Sequence, residues 1–190
     1  FWNVAYKALE AWGVKPAYDK LPKRLNMKLA QRNEAGARNL ISKISLPEKF
    51  AILAPIAKGR HEGKEKYWKH FNELVAPLKE RGLTPVVFPA KDEIDAVKLA
   101  APDAIIYEPT SLGNFAALCS RASIVIANDS GVSHIASAVH APQITIVGVT
   151  DTDRTSPWSD LNMIVGKKGQ WPEVHEVISA IDQVLTKSKS

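Results

Sequence analysis

The residues of this chain with the clearest chemical potential lie in one stretch, Asn128-Asp-Ser-Gly-Val-Ser-His134. A short run rich in Ile, Val and Ala precedes them at 123–127, and small and apolar residues suited to a packed helix follow. The pattern predicts a strand, a tight polar turn and a helix that begins near Ser130 and Gly131. A helix start has unpaired backbone N–H groups and partial positive charge, so we interpret the turn as an anion-binding site.

Simpler roles exist for the same residues. Asp129 or Ser130 could serve only as a helix N-cap, and Gly131 only as a turn residue. Gly131 could also let a ligand approach the backbone closely, because it has no Cβ. His134 lies one turn into the helix, on a face of small residues, and could reach back toward the turn. The alternative for His134 is a structural histidine whose ring is satisfied within the fold.

Cations cluster between the first predicted strand and the following helix. They are Lys58, Arg60, Lys64, Lys66 and Lys69. A solvated helix start is the simple explanation, but cations are unfavourable at a helix N-terminus unless an anion lies between them. Lys66 or Lys64 would therefore supply positive charge to a diphosphate. Trp68 beside them is predicted to be a core anchor.

Asp92 and Glu93 follow the second predicted strand, where a carboxylate could accept the hydroxyls of a ribose. The commoner explanation for carboxylates at this place is a solvated helix start. Other sites are not indicated: the chain has no dinucleotide-binding Gly-x-Gly-x-x-Gly after a strand, no P-loop and no Gly-x-Ser-x-Gly elbow. The five histidines have no metal-ligand spacing with Cys119 or with one another, so we expect no metal site built from side chains alone.

The elements that must position these residues alternate along the chain from residue 50 onward. Strands are predicted at 50–54, 85–88, 104–107, 123–127, 143–147 and 162–165, and helices at 65–81, 91–101, 111–121, 132–140 and 174–185. Unbroken apolar runs are typical of parallel strands buried on both faces, so we expect an α/β fold, a Rossmann-like parallel sheet with helices on both faces. Ligands bind at the carboxyl ends of such strands. The loops to watch are 55–66, 89–93, 108–111, 128–134 and 148–158.

The first 45 residues have a different pattern from the rest. A short amphipathic helix that Gly13 would end carries Val4, Leu9 and Trp12. Pro16 and Pro22 mark an irregular connection, and residues 25–43 are polar, basic and predicted to be helical. We expect residues 1–45 to be an interdomain linker with helical segments, and residues 46–190 to be one Rossmann-like binding domain.

Composition places the chain among ordinary globular domains, with 190 residues of which 45% are hydrophobic and 24% charged. The single cysteine, Cys119, cannot form an internal disulfide and fits a reducing compartment. The net charge of +5 is not concentrated in one tract, and no aromatic-rich strand or recognition helix accompanies it, so no nucleic-acid partner is expected. The chain begins Phe1-Trp2 without an initiator methionine, and we expect it to be a piece of something longer or a processed product.

The motif Asp129–Ala138, followed by Ala141-Pro142 and by residues 144–151, resembles the C-terminal half of glycosyltransferase family 9, the ADP-heptose:lipopolysaccharide heptosyltransferases. The segments 110–118, 66–68 and 157–158 match in order and spacing, so the resemblance covers about residues 48–186. The chain departs from the family at 147–150, where Phe-Gly-Pro-Thr is usual, and at 55–59, where a glycine-rich strand end is usual. These departures concern the exact sugar more than the fold.

The resemblance implies the C-terminal half of a GT-B glycosyltransferase, in which this half holds the nucleotide-sugar and an N-terminal domain, absent from this chain, receives the acceptor. It also implies roles for individual residues. They are Asp129, His134 and Lys66 for catalysis; Ser130, Gly131, Val132, Lys66 and Lys64 for the donor diphosphate; and Glu93, Asp92, Thr110 and Ser111 for ribose and base.

The implied activity is an inverting transfer of heptose from ADP-heptose to a lipopolysaccharide core acceptor, without a metal or other cofactor. The implied partners are a nucleotide-sugar and lipopolysaccharide or another glycan acceptor. The implied location is the cytoplasm, with peripheral contact at the inner face of the bacterial inner membrane. Since the general base would lie on the N-terminal domain, we expect this chain alone to bind donor and transfer no sugar. Two alternatives stay open: a GT-B enzyme for a UDP- or GDP-sugar, including an epimerase, and a non-catalytic nucleotide-binding module.

Overall fold

A computed structural model describes residues 2–15 and 24–187 of the chain; Pro16 and Pro22, with the irregular connection predicted there, lie outside the described residues. The strands are β1 (Phe50–Ala54), β2 (Arg60–His61), β3 (Lys64–Glu65), β4 (Thr84–Val87), β5 (Ile105–Ile106), β6 (Ile124–Asn128), β7 (Gln143–Val147) and β8 (Asn162–Gly166). The helices are α1 (Trp2–Ala11), α2 (Gln31–Lys43), α3 (Val75–Glu80), α4 (Ile94–Ala100), α5 (Leu112–Cys119), α6 (Gly131–Ala138), α7 (Thr152–Thr155) and α8 (Val174–Lys187).

Six of the strands form one parallel sheet in the order β5-β4-β1-β6-β7-β8. This confirms the predicted α/β class, and each predicted strand of the sheet is present with its ends shifted by at most a residue or two. The chain first builds β1, β4 and β5 toward one edge, and then returns to the other side of β1 to add β6, β7 and β8. The strand order therefore reverses between β1 and β6, which is where ligands bind in open parallel sheets.

The sheet is covered on both faces, and successive residues of β1 point to opposite sides. Ala51 and Leu53 belong to a core with the segment 68–78, α4 and α8, whereas Phe50 and Ile52 belong to a core with α2, α5 and α6. Every residue of β6 and β7 is buried, as the unbroken apolar runs predict. Because helices cover both faces of the sheet, polar side chains can meet a ligand at its carboxyl edge, where the strands end in loops.

Helix α2 packs against α5 through close approaches at two glycines. A Cβ on Gly36 would lie 2.5 Å from Asn114 Oδ1, and a Cβ on Gly113 would lie 1.4 Å from Asn33 Nδ2. Ala37, on α2, is fully buried. The division of the chain at residue 45 stays a prediction, although α2 shares a core with the sheet.

The prediction of a helix over 65–81 is wrong for its first part. Residues 60–65 form an antiparallel hairpin, with left-handed backbone at Glu62 (φ 50°) and Gly63 (φ 76°) as a two-residue turn requires. A 3₁₀ turn over Phe71–Leu74 then leads into α3. Pro77 explains the late start, because proline has no N–H and is tolerated only in the first turn of a helix.

Smaller differences concern the remaining helices. The predicted helices 91–101 and 111–121 are each shorter by a few residues, the predicted helix 132–140 begins one residue earlier and ends two residues earlier, and the predicted helix over 25–43 begins only at Gln31. Helix α7, in the loop after β7, was not expected from the sequence. Within the ranges 2–15 and 24–187, no helix combines the length and the apolar character that crossing a membrane requires.

Candidate nucleotide-binding site

Asp129 lies where β6 ends, and its position is set from three sides. Its backbone N–H donates to Ile146 O at 3.1 Å, which continues the pairing of β6 with β7. Its Oδ2 accepts a hydrogen bond from Thr155 Oγ1 at 3.0 Å and faces Lys66 Nζ at 3.9 Å. Asp129 is almost fully buried, so its carboxylate is screened from water on most sides.

The start of α6 follows directly, with Ser130 as the N-cap residue. Ser133 Oγ donates to Ser130 O at 2.7 Å and lies 3.4 Å from Ser130 N, so the turn is tied to the first turn of the helix. A Cβ on Gly131 would meet nothing within 4 Å, which leaves open space above the first turn. The N–H groups that begin an α-helix have no acceptor in the helix, so this end of α6 can receive an anion.

His134 is exposed on α6, and its ring has no hydrogen-bond or ion-pair partner in the part of the chain that the structure describes. The alternative of a structural histidine with a satisfied ring therefore finds no support. An imidazole one turn from the helix start is free to contact a ligand bound there.

Of the two lysines predicted for the diphosphate, only Lys66 contacts this group of residues. Its side chain is 23% exposed and points to Asp129. Lys64 lies on exposed β3, next to the turn with Glu62. A hydrogen bond from Lys168 lowers the pKa of Glu62, and the charge of Lys64 adds to that effect.

Asp92 and Glu93, predicted to contact ribose, are both engaged by Lys58. Lys58 Nζ donates to Asp92 Oδ2 at 2.6 Å and lies 3.3 Å from Glu93 Oε1. This hydrogen bond lowers the pKa of Asp92 and raises that of Lys58. Glu93 Oε2 also accepts from Ala90 N at 3.1 Å, and although Glu93 is the N-cap residue of α4 its side chain makes no capping hydrogen bond to that helix. Asp92 is exposed, whereas Glu93 is largely buried.

A cleft of about 240 Å³ brings Glu93 and Thr110 together beside the start of α6. Its walls are mostly apolar, and they are formed by Phe88, Pro89, Ala90, Glu93, Thr110, Leu112, Phe115, Val132 and Ile135. Ser111 is not among them; its Oγ accepts from Asn114 N at 3.2 Å and caps α5. An apolar cleft with one carboxylate and one hydroxyl, next to an anion-binding helix start, suits a nucleoside joined to a phosphate.

Two residues of this region were given no role by the sequence reasoning. Asn128 is fully buried at the end of β6, and its amide bonds to Trp68 N and Pro55 O. The sequence signal for Asn128 is a polar amide at the end of an otherwise apolar strand. Thr155 reaches Asp129 from α7, 26 residues further along the chain, and no local pattern announces such a contact. Trp68 is 2% exposed, which confirms it as a core anchor.

No group of three or more His, Cys, Asp or Glu side chains is placed to hold a metal ion within the described ranges. The charges at the site are those of the lysines, the carboxylates and the helix start.

The chain forms a parallel sheet with helices on both faces and with loops at the carboxyl ends of its strands. This is a Rossmann-like domain of the kind found in GT-B glycosyltransferases. The sequence profile of glycosyltransferase family 9 (heptosyltransferase) matches residues 6–181, and the chain belongs to this family. Similar known proteins include the lipopolysaccharide heptosyltransferase 3 of Escherichia coli, 25% identical over 90% of this chain and 57% of that protein. The lipooligosaccharide heptosyltransferase 2 of Haemophilus influenzae is 31% identical over 56% of this chain and 34% of that protein.

Among solved structures, the E. coli ADP-heptose lps heptosyltransferase II has the same fold, with a TM-score of 0.72 at 19% identity over 93% of this chain and 57% of that one. The chain thus spans about half the length of the relatives it matches.

Proposed function

We propose that this chain is the donor-binding half of an inverting glycosyltransferase that transfers heptose from ADP-heptose to a lipopolysaccharide acceptor. The observation that carries the proposal is the juxtaposition of Lys66, 3.9 Å from buried Asp129, with the open start of α6. Membership of glycosyltransferase family 9 supports the reaction class. The names of the relatives support heptose as the sugar and ADP as the nucleotide.

The chemistry proposed is one displacement at the anomeric carbon. The acceptor oxygen bonds to that carbon while the bond to the donor phosphate oxygen breaks, and the electron pair leaves with the nucleotide diphosphate. Negative charge grows on the leaving phosphate, next to the N–H groups of α6 and the Lys66 ammonium. Groups already aimed at that charge lower the barrier because they need not reorganise as it develops.

Further roles follow from the same arrangement. Ser130, Gly131 and Val132 would bind the diphosphate through their N–H groups. His134 and Asp129 would face the sugar and phosphates, while Glu93 and Thr110 would contact ribose and base. The proposal uses no metal or other cofactor. We assign acceptor binding and the general base to the part of the relatives that this chain does not match, and we propose a cytoplasmic enzyme with peripheral contact at the inner membrane.

The proposal is tested by calorimetric titration of ADP, UDP and GDP into the chain and into Lys66→Ala. We expect selective binding of ADP, weakened in the variant by about 1.5–3 kcal/mol, as for a lost hydrogen bond to a charged group. Lys98→Ala is the matched control, since it removes an exposed lysine of α4 whose ion pair is with Asp95. It should leave the ADP affinity within about threefold.

Other results would redirect the proposal. Preference for UDP or GDP would retain a GT-B donor site and reject ADP-heptose. Binding of no nucleotide would contradict the donor site in this chain. A non-catalytic module would bind ADP with equal affinity whether or not a sugar is attached, whereas a donor site should bind ADP-heptose more tightly than ADP.

A further inference from the structure

Asn128 is a buried amide whose hydrogen bonds connect three separate segments at the edge of the sheet. Its Oδ1 accepts from Trp68 N at 2.9 Å. Its Nδ2 donates to Pro55 O at 2.9 Å and lies 3.4 Å from Ala54 O. The side-chain amide therefore both accepts and donates a hydrogen bond. Since Asn128 is fully buried, water cannot replace either bond.

The segment held by these bonds is the one that carries Lys66. Residues 66–70 belong to neither a helix nor a strand, so regular secondary structure does not fix their backbone. Trp68 supplies two anchors instead: its backbone N–H bonds to Asn128, and its indole Nε1 donates to Pro172 O at 2.8 Å. Lys66 precedes this anchored residue by two positions and faces Asp129, the residue after Asn128.

We propose that Asn128 is a positioning residue of the donor site: it fixes the backbone of residues 66–68 so that the Lys66 ammonium faces Asp129 and the start of α6. This inference rests on the proposed function, since it assigns Asn128 a part in donor binding through Lys66. Only an amide fits both bonds. An aspartate accepts from Trp68 N but leaves Pro55 O without a donor and adds a second charge beside Asp129, and an alanine leaves both backbone groups unpaired.

A double-mutant cycle separates positioning from general stability. ADP affinity is measured for the wild type, Asn128→Ala, Lys66→Ala and the double variant, at a temperature where thermal unfolding shows each to be folded. We expect Asn128→Ala to weaken ADP binding about tenfold in the wild-type background and at most about twofold in Lys66→Ala, because coupled residues are not additive. Equal losses in both backgrounds would overturn the inference.

Gln143→Ala is the matched control. Gln143 is also a buried amide, bonded to Ser137 Oγ at 2.7 Å, but it lies at the opposite, amino end of its strand. It should lower the melting temperature and leave the ADP affinity within about twofold. If Asn128→Ala does not fold, Asn128→Ser, which keeps a polar group at this position and adds no charge, takes its place in the cycle.

Hydrogen exchange tests the same inference without any nucleotide. Asn128→Ala should lose amide protection in peptides covering residues 66–70 relative to the rest of the sheet, and Gln143→Ala should not. Should the wild type bind no ADP, UDP or GDP, the proposed function fails, but exchange still decides whether Asn128 holds the Lys66 segment. Unchanged protection of that segment would overturn the positioning role, whatever the titrations show.

Discussion

Among the lysine–carboxylate pairs at the carboxyl edge of the sheet, Lys58–Asp92 has a shorter separation than Lys66–Asp129 and is also more exposed to solvent. The outer pair, Lys58–Asp92, has a separation of 2.6 Å with side chains 53% and 74% exposed. The inner pair, Lys66–Asp129, has a separation of 3.9 Å with side chains 23% and 6% exposed. Water and salt weaken the outer pair most, so a short distance does not identify the pair with the larger energetic role.

Lys66 of the inner pair also has hydrogen-bond donors that Asp129 does not use. At 3.9 Å Lys66 is too far from Asp129 for a normal hydrogen bond, so its ammonium donors remain available to a third group such as a phosphate oxygen. In the outer pair, Lys58 already bonds Asp92 and lies beside Glu93. The inner region therefore has hydrogen-bond donors left for another group, whereas in the outer region one lysine is shared by two carboxylates.

The largest effect expected in the inner region comes from the loop after β7. A Cβ on Gly148 would lie 2.0 Å from the ring of Trp171, so Gly148→Ala should lower the free energy of unfolding by about 3 kcal/mol. Gly131→Ala meets no neighbouring atom and should leave stability almost unchanged while it weakens ADP binding by crowding the ligand. Denaturant unfolding and ADP titration of both variants check this contrast. Equal stability of the two would refute the packing at Gly148.

The next largest effect is a difference in unfolding free energy between variants of the two carboxylates, Asp129 and Asp92. Asp129→Ala removes a buried acceptor of the Thr155 hydroxyl and the charge opposite Lys66, and should cost about 2 kcal/mol of unfolding free energy. Asp92→Ala removes an exposed partner of Lys58 and should cost much less. Denaturant unfolding of the two variants at the same pH is the measurement. A larger loss for Asp92→Ala would contradict the energetic ranking of the pairs.

A smaller effect is the pH dependence of the outer pair. Lys58 lowers the pKa of folded Asp92, while the unfolded carboxyl titrates at its ordinary value. The pair therefore stabilises the fold above the ordinary pKa, and this contribution is lost as the pH falls through the lowered folded value. The melting temperatures of wild type and Lys58→Met should differ slightly near pH 7 and converge once the pH falls below the lowered pKa of folded Asp92. A melting-temperature difference that grows on acidification would show that the predicted direction of the pH dependence is wrong.

The smallest effect is expected at Cys119, where burial is complete. Burial raises the pKa of its thiol far above the ordinary value, so the native chain should resist iodoacetamide at mildly alkaline pH. Mass spectrometry of native and urea-unfolded samples provides the comparison. Rapid alkylation of the native chain would mean that the core around α5 opens readily.

Local patterns were enough to predict the strands of the sheet and the polar turn at Asp129–Gly131. Unbroken apolar runs marked the strands, and the turn at Asp129–Gly131 was recognisable because a strand, a glycine and a helix start are neighbours in sequence. The prediction of a helix over 65–81 was wrong for a local reason too. The spacing of apolar residues suggested a helix, but Pro77 and the turn at Gly63 confined α3 to a shorter stretch. The local signals of Asp92, Glu93 and Ser111 were ambiguous, and the structure shows that each already has a partner within the fold.

Contacts between distant residues could not be predicted in this way. Asn128 meets Trp68 across 60 positions and Pro55 across 73, and Thr155 reaches Asp129 across 26. Residue types and their spacing established the α/β class, the polar turn and two candidate lysines near it, Lys64 and Lys66, because those features depend on neighbours along the chain. Which lysine faces the turn, and which buried amide bonds to the segment that carries this lysine, depends on how strands far apart in sequence end side by side, and only the folded sheet shows both.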